Sequence, residues 1–331
     1  MNVRIQRLAP YFCALTLLVL SSVSAQAKQS VDEKMAADPN GSVEIEHQNG
    51  RAKVIGWDKS EVSVVGELGD NTEEFQFERN GSSIVIHVKT KKNRGWGNWG
   101  SNDGDNGDYL TIHVPKNSKV EYTSVNADVD ANNIHGGLSV TVVNGNMDIE
   151  DLSGRIRLQS VNGDIDADKL NGDLAIETVN GDIDGKQMNT QGSENELKVS
   201  TVNGDIEMES NSTEVEAETV NGSIELNLQE VEELELNTVN GSIDVQMHLL
   251  ADGSVDASSV GGTIELIFQK GVGARFDIEA HAGGSIKNKI TDDKQKRAEH
   301  GPRRWLEFST ANPTASVEVS TVHGNIRLNT K

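Results

Sequence analysis

Between residues 121 and 270, apolar and polar residues alternate in short bursts, and each burst is cut by an Asn-Gly pair or a close variant of it. In Asn162-Gly-Asp-Ile-Asp-Ala, the Asn-Gly pair supplies residues that tolerate positive φ, and Ile165 and Ala167 then alternate with Asp164, Asp166 and Asp168. That period of two predicts a strand with one dry and one wet face. The same hexapeptide, TVNGDI, stands at 178–183 and 201–206, with SVNGDI at 160–165 and TVNGSI at 219–224 and 238–243. Alignment gives Asn126, Asn144, Asn162, Asn180, Asn203, Asn221 and Asn240, with Gly261 in the next place. The first steps are 18 residues, and His135-Gly136, Ser153-Gly154 and Asn171-Gly172 mark a nine-residue half-period.

A fixed period of this size predicts a solenoid, since one unit cannot bury its apolar side but stacked units can. Asn-Gly between strands also fits the hairpins of an antiparallel meander. Identity at every second strand favours parallel coils instead, because a coil places like upon like. The expected fold is therefore all-β, a parallel β-helix or β-solenoid with coils of 18 residues built from two nine-residue halves, wound right-handed.

Stacking turns sequence columns into rows about 4.8 Å apart. One row is Val125, Val143, Val161, Val179, Val202, Val220, Val239 and Val260; another is Val129, Met147, Ile165, Ile183, Ile206, Ile224, Ile243 and Ile264. Both are expected to face inward. A hydroxyl row runs from Ser124 through Thr178, Thr201, Thr219 and Thr238 to Ser259, and the asparagines form a row whose amides can hydrogen-bond along the stack.

The pattern loosens toward both ends. The expected organisation is an export signal over 1–27 and a single solenoid domain over 28–331: irregular coils at 41–120 with a Trp/Gly loop at 89–108, regular coils at 121–270, and C-terminal coils at 271–331 with a basic loop at 287–305. The signal is read from Arg4 and Arg7, an apolar stretch from Leu8 to Val23 and a small-residue site at Ala25-Gln26-Ala27. Cleavage there removes Cys13, the only cysteine, so the mature chain has neither disulfides nor thiolate metal sites. No other apolar run approaches the length of a spanning helix, which predicts a soluble mature protein, periplasmic or at the cell surface.

Aromatics are 4% of the chain and there are 32 glycines, so the core must be thin, repeated and aliphatic. The formal net charge is -22, which argues against nucleic acid as a partner, since phosphate binding needs a cationic face.

The order of an export signal, GSVEIEHQNGRAKVIGWDKSEVSV at 41–64, a strand pair around Phe75 and Ile84, LTIHVP at 110–115, serial VNGDI/VNGSI units and a closing TVHGNI at 321–326 resembles the bacterial putative adhesin family of β-strand-repeat proteins, a domain of unknown function. The resemblance covers nearly the whole mature chain. It implies a cell-envelope β-solenoid and supplies no catalytic residues, and both long loops depart from the compact family pattern.

Candidate chemistry is sparse. The eight histidines are scattered without metal-ligand spacing, and no nucleophile elbow, phosphate loop or cysteine nucleophile is present. A polysaccharide-active β-helix enzyme is the alternative, on fold analogy alone. The preferred reading is a non-enzymatic scaffold or adhesin-like surface without cofactor, whose partner is an envelope polysaccharide or protein and whose oligomeric state the sequence leaves open. Two candidate sites follow. Asp164, Asp166, Asp182, Asp184, Asp205 and Glu207 form a carboxylate ladder expected to bind calcium weakly at many sites. Trp96 and Trp99, near Lys91, Lys92 and Arg94, form an aromatic and basic patch suited to a sugar, an anionic polymer or a lipid headgroup.

Overall fold

The computed structural model describes residues 29–91, 107–190 and 196–331. The segment expected as an export signal, and Trp96 and Trp99 with most of their loop, lie outside the described residues.

The described residues are all-β: 23 strands join in one hydrogen-bonded sheet, and the repeat strands pair in parallel. Pairing follows the alignment of the repeats. Asn126 is in register with Asn144, Asn144 with Asn162, Asn162 with Asn180, Asn180 with Asn203, Asn203 with Asn221, Asn221 with Asn240, and Asn240 with Gly261. The solenoid is a stack of like upon like, as the repeat predicts.

Inside each coil the dry positions are aliphatic. In the coil that starts at Ile165 they are Ile165, Ala167, Leu170, Leu174 and Ile176, all buried, with buried Thr178 completing the set. The row from Val129 through Met147 and Ile183 to Ile264 is wholly inside, as expected.

The valine row is not. Val125, Val143, Val161, Val179, Val202, Val220, Val239 and Val260 are each 38–45% exposed, and the hydroxyl row beside them is buried instead. The reason lies in the corner. Strands end at the asparagine and restart at the isoleucine three residues later, so the Asn-Gly corner resets the alternation. Threonine, five residues before that isoleucine, therefore faces in, and valine, four before it, faces out. Burial leaves the threonine hydroxyl satisfied: Thr178, Thr201, Thr219 and Thr238 donate to the carbonyls of Gly163, Gly181, Gly204 and Gly222 in the preceding coil at 3.1–3.2 Å.

The half-period corner also sits slightly off the sequence signal. Asn133, Asp151, Lys169 and Gln187 occupy it with φ of 56, 54, 55 and 53°, and Gly154 and Gly172 follow at 103 and 133°. Four different side chains share one left-handed position, so the position is set by the stack rather than by residue type.

At both ends the order in space departs from the order in sequence. Strand Ser42–Trp57 lies between Lys119–Ile134 on one side and both Ser83–Thr90 and Asp108–Pro115 on the other. The closing TVHGNI unit stacks directly on the regular coils, Val317 against Val255 and Ile326 against Ile264, while Ala274–Ala280 and Ile286–Asn288 form the next layer outward. Outermost strands at both ends turn antiparallel: Thr72–Asn80 on Ser83–Thr90, Gln29–Ala36 on Glu61–Leu68, and Arg304–Ser309 on Ala274–Ala280. These hairpins cover the parallel edges that would otherwise template further pairing. Phe268, Phe276 and Phe308 close the core at the C-terminal end, the latter two stacked at 4.4 Å. The basic segment expected as a loop is thus partly tied down: Arg304 donates to the Gly284 carbonyl at 2.7 Å, and Arg303 pairs with Glu279.

Candidate functional site

The stack turns four adjacent sequence positions into parallel ladders along one edge of the solenoid. On the asparagine ladder, the Nδ2 of each residue from Asn144 to Asn240 donates to the Oδ1 of the asparagine one coil earlier, at 2.8–2.9 Å. This accounts for the repeated asparagine structurally. Next to it stands the exposed valine row, an apolar stripe about 34 Å long if eight rungs are spaced by the strand separation.

The acids divide into two columns with different work. Asp164, Asp182 and Asp205 each use Oδ1 to accept the backbone N–H one coil later, from Asp182, Asp205 and Ser223 at 3.0, 2.8 and 2.7 Å. They cap the corner and are structural. In the second column the register sets Asp166 beside Asp184 and Asp184 beside Glu207, with both aspartates exposed. Partial desolvation against the sheet, and then the neighbouring carboxylates, raise the pKa of the exposed Asp148, Asp166, Asp184 and Asp244 above the ordinary carboxylate value. All six ladder residues are therefore brought to one edge, as two columns rather than one converging ligand set.

The raised column has a definite pH signature. A carboxyl that holds its proton more tightly folded than unfolded costs stability once pH exceeds its unfolded pKa, and that cost is relieved as pH falls back through the folded pKa. Asp173 runs the other way: burial pushes it up, but Arg157 and Arg155, at 2.8 and 3.1 Å, outweigh that and hold it low, so its contribution is lost only at more acid pH. The melting temperature is expected to rise as falling pH protonates the raised carboxyls, just above the ordinary aspartate range, and to drop at more acid pH, where Asp173 loses its charge. In Asp184→Asn, which removes one charge between two others, the rise should be smaller; a rise of undiminished size would show that the column does not carry it.

Away from the ladders, one buried polar cluster stands out. His47, Asp108 and Tyr122 are 0, 1 and 0% exposed. His47 Nδ1 lies 2.8 Å from the Tyr122 hydroxyl and its Nε2 lies 3.2 Å from Asp108 Oδ2, while Asp108 Oδ1 accepts from the Gly69 N–H at 2.7 Å and from Thr72 Oγ1 at 2.5 Å. Burial pushes the Tyr122 hydroxyl far up, so it stays protonated. A Tyr-His-Asp chain has the parts for proton transfer, yet no substrate atom can reach it; it pins strands 42–57, 108–115 and 119–134 together. Sequence reasoning missed it because the three residues are far apart in the chain and His47 reads as one more strand residue. Tyr122→Phe leaves His47 Nδ1 unpaired in the core and is expected to cost about 1–3 kcal/mol in urea unfolding.

The model of the Toastrack DUF4097 family matches residues 40–329 of the chain. Among solved structures, the chain is similar to a putative adhesin from Bacteroides fragilis at 12% identity, covering 91% of this chain and 98% of that one with a TM-score of 0.31. It is also similar to a putative adhesin from Parabacteroides merdae, at 9% identity, 92% and 97% coverage and a TM-score of 0.32. A third is a putative cell adhesion protein from Clostridium sporogenes, at 12% identity, 92% and 100% coverage and a TM-score of 0.22. No curated protein matches the chain.

Proposed function

The chain belongs to the Toastrack DUF4097 family, and from that membership and the geometry of its ladders we propose that it is an exported, non-enzymatic β-solenoid acting as an adhesin-like surface in the cell envelope. Its coils wind right-handed in this reading, the usual hand for parallel strand crossovers. The observation that carries it is the exposed valine row. Eight coils keep a branched aliphatic side chain in solvent beside an amide ladder, at a position the core does not need. A continuous apolar stripe flanked by hydrogen-bonding amides suits an extended polymer, whose ring faces lie on the valines and whose hydroxyls meet the asparagine edge. An envelope polysaccharide, neutral or basic because the flanking columns are acidic, is the proposed partner.

Co-sedimentation of the mature protein with purified envelope polysaccharide tests this. Val179→Ser, Val202→Ser and Val220→Ser combined should weaken binding at least tenfold while the melting temperature stays within a few degrees. Undiminished binding by the triple variant removes the stripe from the account, and absence of binding by the parent protein rejects the polysaccharide. Fractionation with surface proteolysis, and a mature N-terminus at Lys28, test export and separate periplasm from cell surface.

A second reading, weak calcium binding along the acid columns, is supported by the raised pKa values there. Neighbouring carboxylates about 4.8 Å apart repel by roughly 0.9 kcal/mol even at the dielectric of water, and a bridging dication would relieve this. Millimolar calcium should then raise the melting temperature more than sodium chloride of equal ionic strength, and equal melting temperatures would leave screening alone.

A further inference from the structure

At the N-terminal end of the stack, outside the ladders, two strands bring a histidine and two carboxylates together. Glu44 and Glu46 lie two residues apart on strand Ser42–Trp57 and point to the same outer face; His87 lies on Ser83–Thr90, the register partner of Glu46. One ligand atom from each of the three falls within 4.8 Å of the other two. Among the described residues, this is the only group of three or more potential metal-ligating side chains that converges so closely.

The histidine supplies an independent observation. Its Nε2 is closed off from solvent and has no hydrogen-bond partner, although the ring as a whole stays partly exposed. The nearest carboxylate oxygen, Glu46 Oε2, is 3.7 Å away, too far for a hydrogen bond. Two ligands held by one ion at bond lengths of about 2.0–2.2 Å and a tetrahedral angle stand roughly 3.4 Å apart, so the gap is close to the one an ion would leave between them. The surroundings favour a cation: Glu121 is the register partner of Glu44 in the next strand, and Lys89, two residues beyond His87 on the same face, is engaged by Glu74 at 3.5 Å. Glu44 and Glu46 are exposed, which opens the group to solvent, and an open cleft of about 560 Å³ that also carries Lys119, Arg155 and Arg157 touches it at Glu44 alone.

We infer that Glu44, Glu46 and His87 form a binding site for a divalent transition-metal ion of the zinc class. Calcium and magnesium take oxygen ligands and discriminate against imidazole, whereas zinc accepts one histidine with two carboxylates and completes its tetrahedron with water. The site would tie strand 42–57 to strand 83–90 at the end of the solenoid, adding a metal clip where the regular ladders have stopped. It stands apart from the polysaccharide reading and neither requires it nor supports it.

The test is isothermal titration of the full mature chain with zinc chloride after treatment with chelator, in parallel with calcium and magnesium. The expected result is one zinc site at micromolar affinity, weakened at least tenfold in His87→Gln and again in Glu46→Gln, with no His87-dependent heat from calcium or magnesium. Cobalt substitution gives a second readout: visible bands of tetrahedral intensity in the parent protein that vanish in His87→Gln. His281, 3.4 Å from Glu279, is the alternative surface histidine, and His281→Gln should leave both signals intact. Zinc affinity unchanged in both His87→Gln and Glu46→Gln, or zinc binding that calcium matches, would overturn the assignment and leave adventitious binding to an acidic surface.

Discussion

Ile183→Asp should unfold the central coils at ordinary temperature, while Val179→Asp, four residues earlier in the same repeat, should melt within a few degrees of the parent. Ile183 is fully buried and stacked between Ile165 and Ile206, so a carboxylate there has hydrocarbon above and below it. An isolated buried charge costs several kcal/mol even after relaxation, comparable to the whole stability of an ordinary domain. Val179 is 40% exposed, and its replacement by aspartate loses only partial apolar contact. Surface changes of that kind usually stay near 0.5 kcal/mol, and repulsion from the neighbouring acids puts this one at the upper end. Urea unfolding of the two variants side by side measures the contrast. Comparable destabilisation would mean that valine and isoleucine share a face, and the corner would not reset the alternation.

Gly222→Ala is expected to be nearly as damaging, for a different reason. A Cβ on Gly222 would stand 1.8 Å from the carbonyl oxygen of Gly204 in the coil beneath, and the same clash recurs at Gly241 on Gly222 and at Gly204 on Gly181, at 1.8 and 1.9 Å. Backbone meets backbone at this corner, so no flexible side chain can move aside. Either the coils separate locally, breaking the asparagine and threonine bonds on both sides, or the corner rearranges. A loss of several kcal/mol follows, within the range reserved for core overpacking and strain. Gly261→Ala is the matched control: its nearest foreign atom would be the Val239 carbonyl oxygen at 3.7 Å, an ordinary contact. Circular dichroism melts of the two variants should differ by ten degrees or more, and equal melts would show that close approach does not explain the glycine column.

The solenoid was legible because its evidence is repetition. Asn126 through Asn240 fix the register unaided, and the isoleucine row follows from alternation after each corner. What alternation could not show was the phase across Asn-Gly, because a corner that breaks the strand adds an unknown offset; valine, apolar and β-branched, then passed for core, and the hydroxyl row was given no facing. The buried threonine hydroxyls find their partners in glycine carbonyls of another coil, which no local pattern encodes. The end layers were hidden for a related reason. Ser42–Trp57 and Ala315–Thr321 sit one layer in from segments that lie between them and the repeats in sequence, and pairing order there is decided by which edges need covering. Of the candidate site, the acid rows were readable as neighbours, but the division into a capping column at Asp164, Asp182 and Asp205 and a charged column at Asp166 and Asp184 depends on backbone N–H groups one coil away. His47, Asp108 and Tyr122, and Glu44, Glu46 and His87, needed the fold before any of them could be seen together.

Cys13 is the only cysteine of the sequence, so in a Cys13→Ser background pairs of spin labels can be placed at chosen positions without competing thiols. Val143→Cys with Val239→Cys puts two labels on the valine row, five rungs apart by way of Val161, Val179, Val202 and Val220, and Val143→Cys with Val161→Cys puts two on adjacent rungs. Pulsed electron-electron resonance should give a backbone separation of about 24 Å for the first pair, and continuous-wave broadening should place the second within about 5 Å, apart from the reach of the labels. Those distances, scaling with rung number and accompanied by partial label mobility in solvent, are what parallel coils with an outward valine row require. Immobilised labels, or a distance that does not grow from the adjacent pair to the distant one, would contradict the stacked solenoid and the surface built on it.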